Sequence, residues 1–172
     1  TDLERYLGLE LPADYKALLD AYGSGMIANT LIVTHPACET DAVAAQARFQ
    51  EMFCLEYTEA VEVGMAAEEY PFPFHPTPGG LIHWGNGGGD DINHFFLPGL
   101  PNHDGWKIVS LQRKKPYAIY DGSFTDFVLG LVNRWCAPLS AEEWEAMTPE
   151  HREWRLREGA QGGFTPTFTP FW

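Results

Sequence analysis

Apolar residues recur along this chain with two different periods, and the switches between them divide it into blocks. The helical period comes first. Asp2 to Leu7 reads as a short helix stopped by Gly8, since glycine readily takes the left-handed conformation that ends a helix. Leu11-Pro12-Ala13-Asp14 opens a second helix, with proline suited to the first turn and Asp14 favouring the N-terminal dipole. Tyr15, Leu18, Leu19 and Tyr22 follow at i, i+3, i+4 and i+7 and predict one apolar face, closed by Gly23-Ser24-Gly25. Leu31-Ile32-Val33 reads as a short buried strand. From Ala42 to about Tyr57 the helical spacing returns, capped by Thr40 or Asp41, and places Ala45, Phe49, Met52 and Phe53 on one face.

Pro71, Pro73, Pro76 and Pro78 then make the stretch from Tyr70 to Pro78 an extended loop. Beyond it the pattern shortens to strands: Leu81–Trp84, Ile92–Leu97, Trp106–Leu111 and Tyr117–Tyr120, separated by turn residues, predict an antiparallel meander. Ser123 with Asp126 is a capping-box-like start to another helix, whose face is Phe124, Phe127, Val128, Leu131 and Trp135. Further on, Ser140 with Glu143 forms a second box, stapled by Leu139 and Trp144, and Thr148-Pro149 restarts the helix. The end, Gly162 to Trp172, sets Phe164, Phe168, Phe171 and Trp172 among Thr-Pro pairs. It is expected to lie extended over an apolar groove, in this molecule or in a partner. Trp154 and Trp172 are the tryptophans freest to anchor a partner, whereas the other four read as core.

Charge changes this picture more than composition does. The 172 residues hold 24 acids and 11 bases, a formal net charge of −13. Eight of the acids and one base fall between Glu39 and Glu69, so this segment alone carries −7. Nucleic acid is thereby disfavoured as a partner, because phosphate binding needs a surplus of Lys and Arg. A basic protein partner fits, since a one-sign surface speeds encounter with its opposite, and simple solubility is the alternative. Three cysteines, Cys38, Cys54 and Cys136, are an odd number without a paired short spacing, as in reduced intracellular proteins. With no run approaching the ~18 apolar residues of a membrane span, a cytoplasmic protein is expected.

The segment Pro78-Gly79-Gly80-Leu81-Ile82-His83-Trp84-Gly85-Asn86-Gly87-Gly88-Gly89-Asp90-Asp91 holds most of the candidate chemistry. A phosphate-binding loop would require Lys followed by Ser or Thr after the last glycine, and aspartates stand there instead. A dinucleotide fingerprint would require a following helix, and a strand follows. A metal site remains open: His83, Asp90, Asp91, His94, His103 and Asp104 lie close in sequence, and histidine with carboxylate suits zinc or iron. Such a site needs the hairpin to set His83 and His94 side by side. The alternative is turn aspartates and strand-edge histidines. There is no Gly-x-Ser-x-Gly, the cysteines sit in apolar contexts, and the paired acids Glu68-Glu69 and Glu142-Glu143 read as solvated faces.

Four segments, in order, resemble the SMI1/KNR4 (SUKH) superfamily. Leu11-Pro12-Ala13-Asp14-Tyr15-Lys16-Ala17-Leu18-Leu19 through Tyr22-Gly23-Ser24-Gly25 resembles its opening. Gly80-Leu81-Ile82-His83-Trp84-Gly85-Asn86 with Asp90 resembles its central hairpin, Trp106-Lys107-Ile108-Val109 the next strand, and Gly122 to Leu131 the closing helix. The triple glycine is looser than the usual turn, and residues after Pro138 fall outside the pattern. The resemblance implies an α+β fold, helices packed on a bent antiparallel sheet of about four to six strands. It would occupy residues 1–137, with residues 138–172 a helical extension and aromatic tail on the same domain. Pro12, Tyr15, Gly23, Trp84, Gly85, Trp106 and Phe127 would be its structural positions. It further implies a protein without catalytic residues, cofactor or metal: an immunity protein that occludes a cognate polymorphic toxin, in particular a basic, nuclease-like one. Glu59, Glu62, Glu68, Glu69, Asp90 and Asp91 are then the expected partner-binding residues. A regulatory or scaffold module like the fungal relatives, and a metal-dependent hydrolase using His83, Asp90 and His94, are the alternatives.

Overall fold

The computed structural model describes residues 2–23, 25–28, 31–33, 42–65, 70–87, 92–99, 106–112, 117–136, 145–146, 148–149, 152 and 168–170. Among them are four helices, α1 (Asp2–Leu7), α2 (Ala13–Tyr22), α3 (Ala42–Glu62) and α4 (Phe124–Cys136). The strands are β1 (Gly25–Ile27), β2 (Leu31–Val33), β3 (Ile82–Gly87), β4 (Ile92–Leu97), β5 (Lys107–Gln112), β6 (Ala118–Tyr120) and β7 (Phe168–Pro170). All pair antiparallel in one sheet, in the order β6-β5-β4-β3-β2-β1-β7. Six strands follow one another as a meander, and the tail adds the seventh. The fold is thus α+β, helices on an antiparallel sheet.

The pleat sends successive side chains to opposite faces, and each face has its own core. Ile82 and Trp84 of β3, with Phe96 and Ile108, join Tyr15 and Leu19 of α2 and Phe124, Val128 and Val132 of α4. Leu81, Phe95, Val109 and Leu111 point the other way and join Phe53 of α3 and Phe74 of the proline-rich loop. Trp84 is the hub of the first core, edge-on to Phe124 at 4.9 Å and stacked on Phe96 at 5.7 Å.

The end of α2 and the start of α4 obey the expected chemistry, and the expected caps of α3, Thr40 and Asp41, lie outside the described residues. Gly23 has φ 72° and donates its N–H to the Leu19 carbonyl at 2.8 Å. The Asp126 N–H donates to Ser123 Oγ at 3.0 Å while the Ser123 hydroxyl donates to Asp126 Oδ2 at 2.7 Å, so the box at the start of α4 is formed. Asp14 does more than favour a dipole, because its Oδ2 accepts the Thr125 N–H at 2.9 Å and ties α2 to the first turn of α4.

Three expectations need correction. Tyr22, placed on the buried face of α2, is 56% exposed, because that helix runs past the core that holds Tyr15 and Leu19. The third helix continues beyond Tyr57 to Glu62, and its inward face is rotated: Gln50, Phe53 and Ala60 are buried while Met52 is 45% exposed. β1 had no counterpart among the expected strands. The tail question has a partial answer, since Phe168–Pro170 lies extended against β1 of its own sheet. The boxed segment Ser140–Glu143 with Leu139 and Trp144, and also Trp154 and Trp172, lie outside the described residues.

Gly85 stands at an irregularity in the β3–β4 register. A Cβ there would collide with the backbone carbonyl oxygen of Ile32 on β2, which has no side-chain freedom to yield. Gly85→Ala is therefore expected to cost about 2 kcal/mol, as overpacked substitutions do. Gly130, on the exposed side of α4 with open space around it, gives the opposite sign. Gly130→Ala should stabilise by about 0.5–1 kcal/mol through helix propensity. Urea denaturation of the two variants checks both signs, and equal midpoints would contradict the packing argument.

Candidate interaction face

The long helix α3 has to satisfy two environments. Its inner side meets the sheet through Phe53, which stacks on Phe74 at 5.4 Å and meets Phe95 edge-on at 4.9 Å. Helical periodicity then turns Arg48, Glu51, Met52, Leu55, Glu59 and Glu62 away from the sheet, and all six are exposed. Leu55 is 59% exposed, and Val63 in the turn after the helix is 70% exposed, with Val61 and Met65 beside it in sequence. Glu56 adds a further carboxylate, its Oε2 accepting the Tyr70 hydroxyl at 3.0 Å. Apolar side chains set among four carboxylates and one guanidinium form a surface that water solvates poorly at its centre and well at its rim. Protein–protein contact faces have this composition.

Two of the expected partner-binding residues, Glu59 and Glu62, are thus brought together on this face, three residues apart. Glu68, Glu69, Asp90 and Asp91 lie outside the described residues, as do His103 and Asp104. β3 ends at Gly87 and β4 begins at Ile92.

The histidines of the candidate metal site are not side by side. His83 lies on the α3 face of β3, with its ring centroid 5.2 Å from Phe53 and 5.0 Å from Phe49. His94 lies on the opposite face, stacked on Trp84 at 5.2 Å and edge-on to Phe127 at 5.3 Å. Nor are they at strand edges: β3 and β4 are central strands, and both histidines are buried. His94 is also fully engaged. Its Nε2 sits 3.0 Å from the Gly87 carbonyl oxygen, which can only accept, so the proton is on Nε2. Nδ1 then accepts from the Ser110 hydroxyl at 2.9 Å. Burial pushes the pKa of both rings down to about 4, and for His83 a charge on His94 would push further, against weaker support from Asn93 and the Gly85 backbone. Both are neutral at pH 7. Among the described residues, no group of three or more His, Cys, Asp or Glu side chains is placed to hold a metal ion.

Sequence reasoning overlooked Gln50, which is 3% exposed on the inner side of α3. Its Nε2 donates to the carbonyls of His75 at 2.9 Å and Leu81 at 3.1 Å, and its Oε1 accepts the His83 N–H at 3.1 Å. One side chain thereby fastens the helix to the proline-rich loop and to the first residues of β3. The signal available was a polar residue three before Phe53 and seven before Tyr57, in phase with the buried stripe. Cys54 is a free thiol whose Sγ donates to the His75 carbonyl at 3.3 Å, and burial raises its pKa, as in an unreactive packing cysteine. No helix among the described residues is long and apolar enough to cross a membrane.

The chain matches no family model, no curated protein and no solved structure.

Proposed function

We propose that this is a cytoplasmic immunity-type protein that neutralises a toxin by direct binding and occlusion, with no catalysis of its own. The observation that carries the reading is the outer face of α3, where exposed Met52 and Leu55 lie among Glu51, Glu56, Glu59 and Glu62. The order of the four segments that resemble the SUKH superfamily supports the toxin as partner. A net charge of −13 supports a basic one, in particular a nuclease-like domain. The apolar residues supply desolvated contact at the centre of the interface, and the carboxylates steer the encounter and shield the contact from water.

The test is co-purification with the toxin domain encoded beside this gene, followed by association kinetics at rising salt. The association rate should fall steeply with ionic strength, and the double charge reversal Glu59→Lys/Glu62→Lys should lower it roughly tenfold. Leu55→Gln should raise the dissociation rate while leaving folding stability within about 0.5 kcal/mol, because its side chain is largely exposed and glutamine suits a helix interior nearly as well as leucine. A neighbouring gene without a toxin domain, or a complex indifferent to all three substitutions, sinks the proposal.

A further inference from the structure

The side of α3 that faces water has an order of its own. Arg48, Met52, Leu55, Glu59 and Glu62 follow one another at intervals of four, three, four and three residues, the spacing at which one helix packs along another. All five are exposed. The two apolar members stand in the middle, with the guanidinium on the N-terminal side and the two carboxylates on the C-terminal side. Among the described residues no ion pair engages Glu59 or Glu62. Met52 and Leu55 are centred on the point between Phe53 and Cys54, and Arg48 and Glu59 are centred on that same point.

A stripe with this order is complementary to itself when reversed. A second copy of α3, laid antiparallel about a two-fold axis through that point, sets Met52 against Leu55 and Arg48 against Glu59, and symmetry repeats both contacts. At 1.5 Å per residue the two charge pairs stand about 8 Å to either side of the axis, with the apolar centre between them. Laid parallel, the same helices would set Arg48 against Arg48 and Glu59 against Glu59, so charge selects the antiparallel arrangement. Arg48 takes part in another interaction within its own chain, and a guanidinium has five N–H donors to share between that and a carboxylate at the rim. Glu51 and Glu56 lie about 70° to opposite sides of the stripe. Antiparallel pairing brings like flanks together, so these two carboxylates do not stand opposite each other.

We propose that two copies of this protein pair through α3 in an antiparallel, two-fold dimer, in which Arg48 of each copy meets Glu59 of the other across a centre of Met52 and Leu55. The dimer takes the face assigned above to the toxin, and it needs no toxin to form. It covers the exposed apolar side chains of α3 when no other partner is bound.

Sedimentation velocity on the full chain tests this, from about 1 to 500 µM at 0.15 M salt, where a Debye length of about 8 Å confines the mutual repulsion of two chains of charge −13. A reversible monomer–dimer equilibrium is expected, with a dissociation constant on the order of 10–100 µM for so small an interface. Arg48→Glu and Glu59→Arg should each raise it at least about tenfold, because each puts two like-charged pairs into the dimer. Combined in one chain, the two substitutions should return it to within about threefold of the parent. Mixed in equal amounts, the two single variants should pair with each other at about the parent's affinity, which a misfolded variant could not do. Monomers throughout the concentration range, a dimer that tolerates either reversal, or reversals that the double variant fails to restore overturn the proposal. All three outcomes leave the toxin reading untouched, since co-purification and association kinetics with the toxin decide that separately.

Discussion

Between pH 6.5 and pH 4 the protein is expected to lose about 5 kcal/mol of folding stability, a loss on the scale of a whole domain's stability. The loss originates in His83 and His94, whose folded pKa values of about 4 lie below the ordinary value of 6.5. In that window the unfolded chain binds protons that the folded chain refuses, so stability falls as pH falls. Well above pH 6.5 both states are neutral at these rings and the contribution is complete. A folded value of about 4 against 6.5 corresponds to about 3 kcal/mol for each ring once titration is complete, and slightly less is lost by pH 4, where the folded rings are half protonated. The physical cause is burial. His83 sits among the rings of Phe49, Phe53 and Phe95, and His94 is pressed between Trp84 and Phe127 with both nitrogens engaged in their neutral roles. Protonating His94 would also turn Nδ1 into a second donor facing Ser110 Oγ, whose hydroxyl would have to reverse. One effect opposes the loss: neutralising surface carboxylates relieves the self-repulsion of a chain with net charge −13. The check is urea denaturation at pH 7 and pH 4.5, on the protein and on His83→Leu/His94→Gln. The variant should show a much shallower pH dependence than the parent. Equal stability of the parent at the two pH values would refute the assignment.

These histidines show where the sequence could be read and where it could not. Their residue types and hairpin placement were visible, and so was the choice between a metal site and packing. The faces were not, because they depend on how a bulge at Gly85 shifts the β3–β4 register. For α2, Pro12 and Gly23 bracket the helix by local backbone chemistry, and its buried residues Tyr15 and Leu19 follow. For α3 the phase was lost, since Phe49, Met52, Phe53 and Leu55 put apolar groups all around the helix and Gln50 interrupts the true stripe. That misreading concealed the exposed apolar centre of the candidate face, although the acids Glu59 and Glu62 that flank it were identified from charge. The three-residue strands β1 and β7 carry no measurable period, and their pairing joins Gly25 to Pro170, which no local pattern encodes.

Gln50→Glu is expected to destabilise the fold by about 4 kcal/mol at pH 8, although it exchanges one nitrogen for one oxygen. The position is buried, and its amide NH₂ donates to two carbonyl oxygens, those of His75 and Leu81. An introduced carboxylate would point a charged acceptor at two acceptors in a site that water does not reach, against the single donated bond from the His83 N–H. The group escapes by taking up a proton, so its folded pKa rises above the usual carboxylate value. The folded variant then binds a proton that the unfolded chain releases, and the penalty relative to the parent must shrink as pH falls from 8 towards 6. Gln50→Leu separates charge from lost hydrogen bonds. It removes the Gln50 acceptor from the His83 N–H, whereas the Leu81 carbonyl keeps the His75 N–H at 3.1 Å and the His75 carbonyl keeps the Cys54 thiol. It should therefore cost only about 2 kcal/mol, with no pH dependence of its own. Denaturation curves of both variants between pH 6 and 8 decide the matter. A Gln50→Glu protein within 1 kcal/mol of the parent at pH 8 would mean that α3 is fastened to the loop and to β3 by its rings alone.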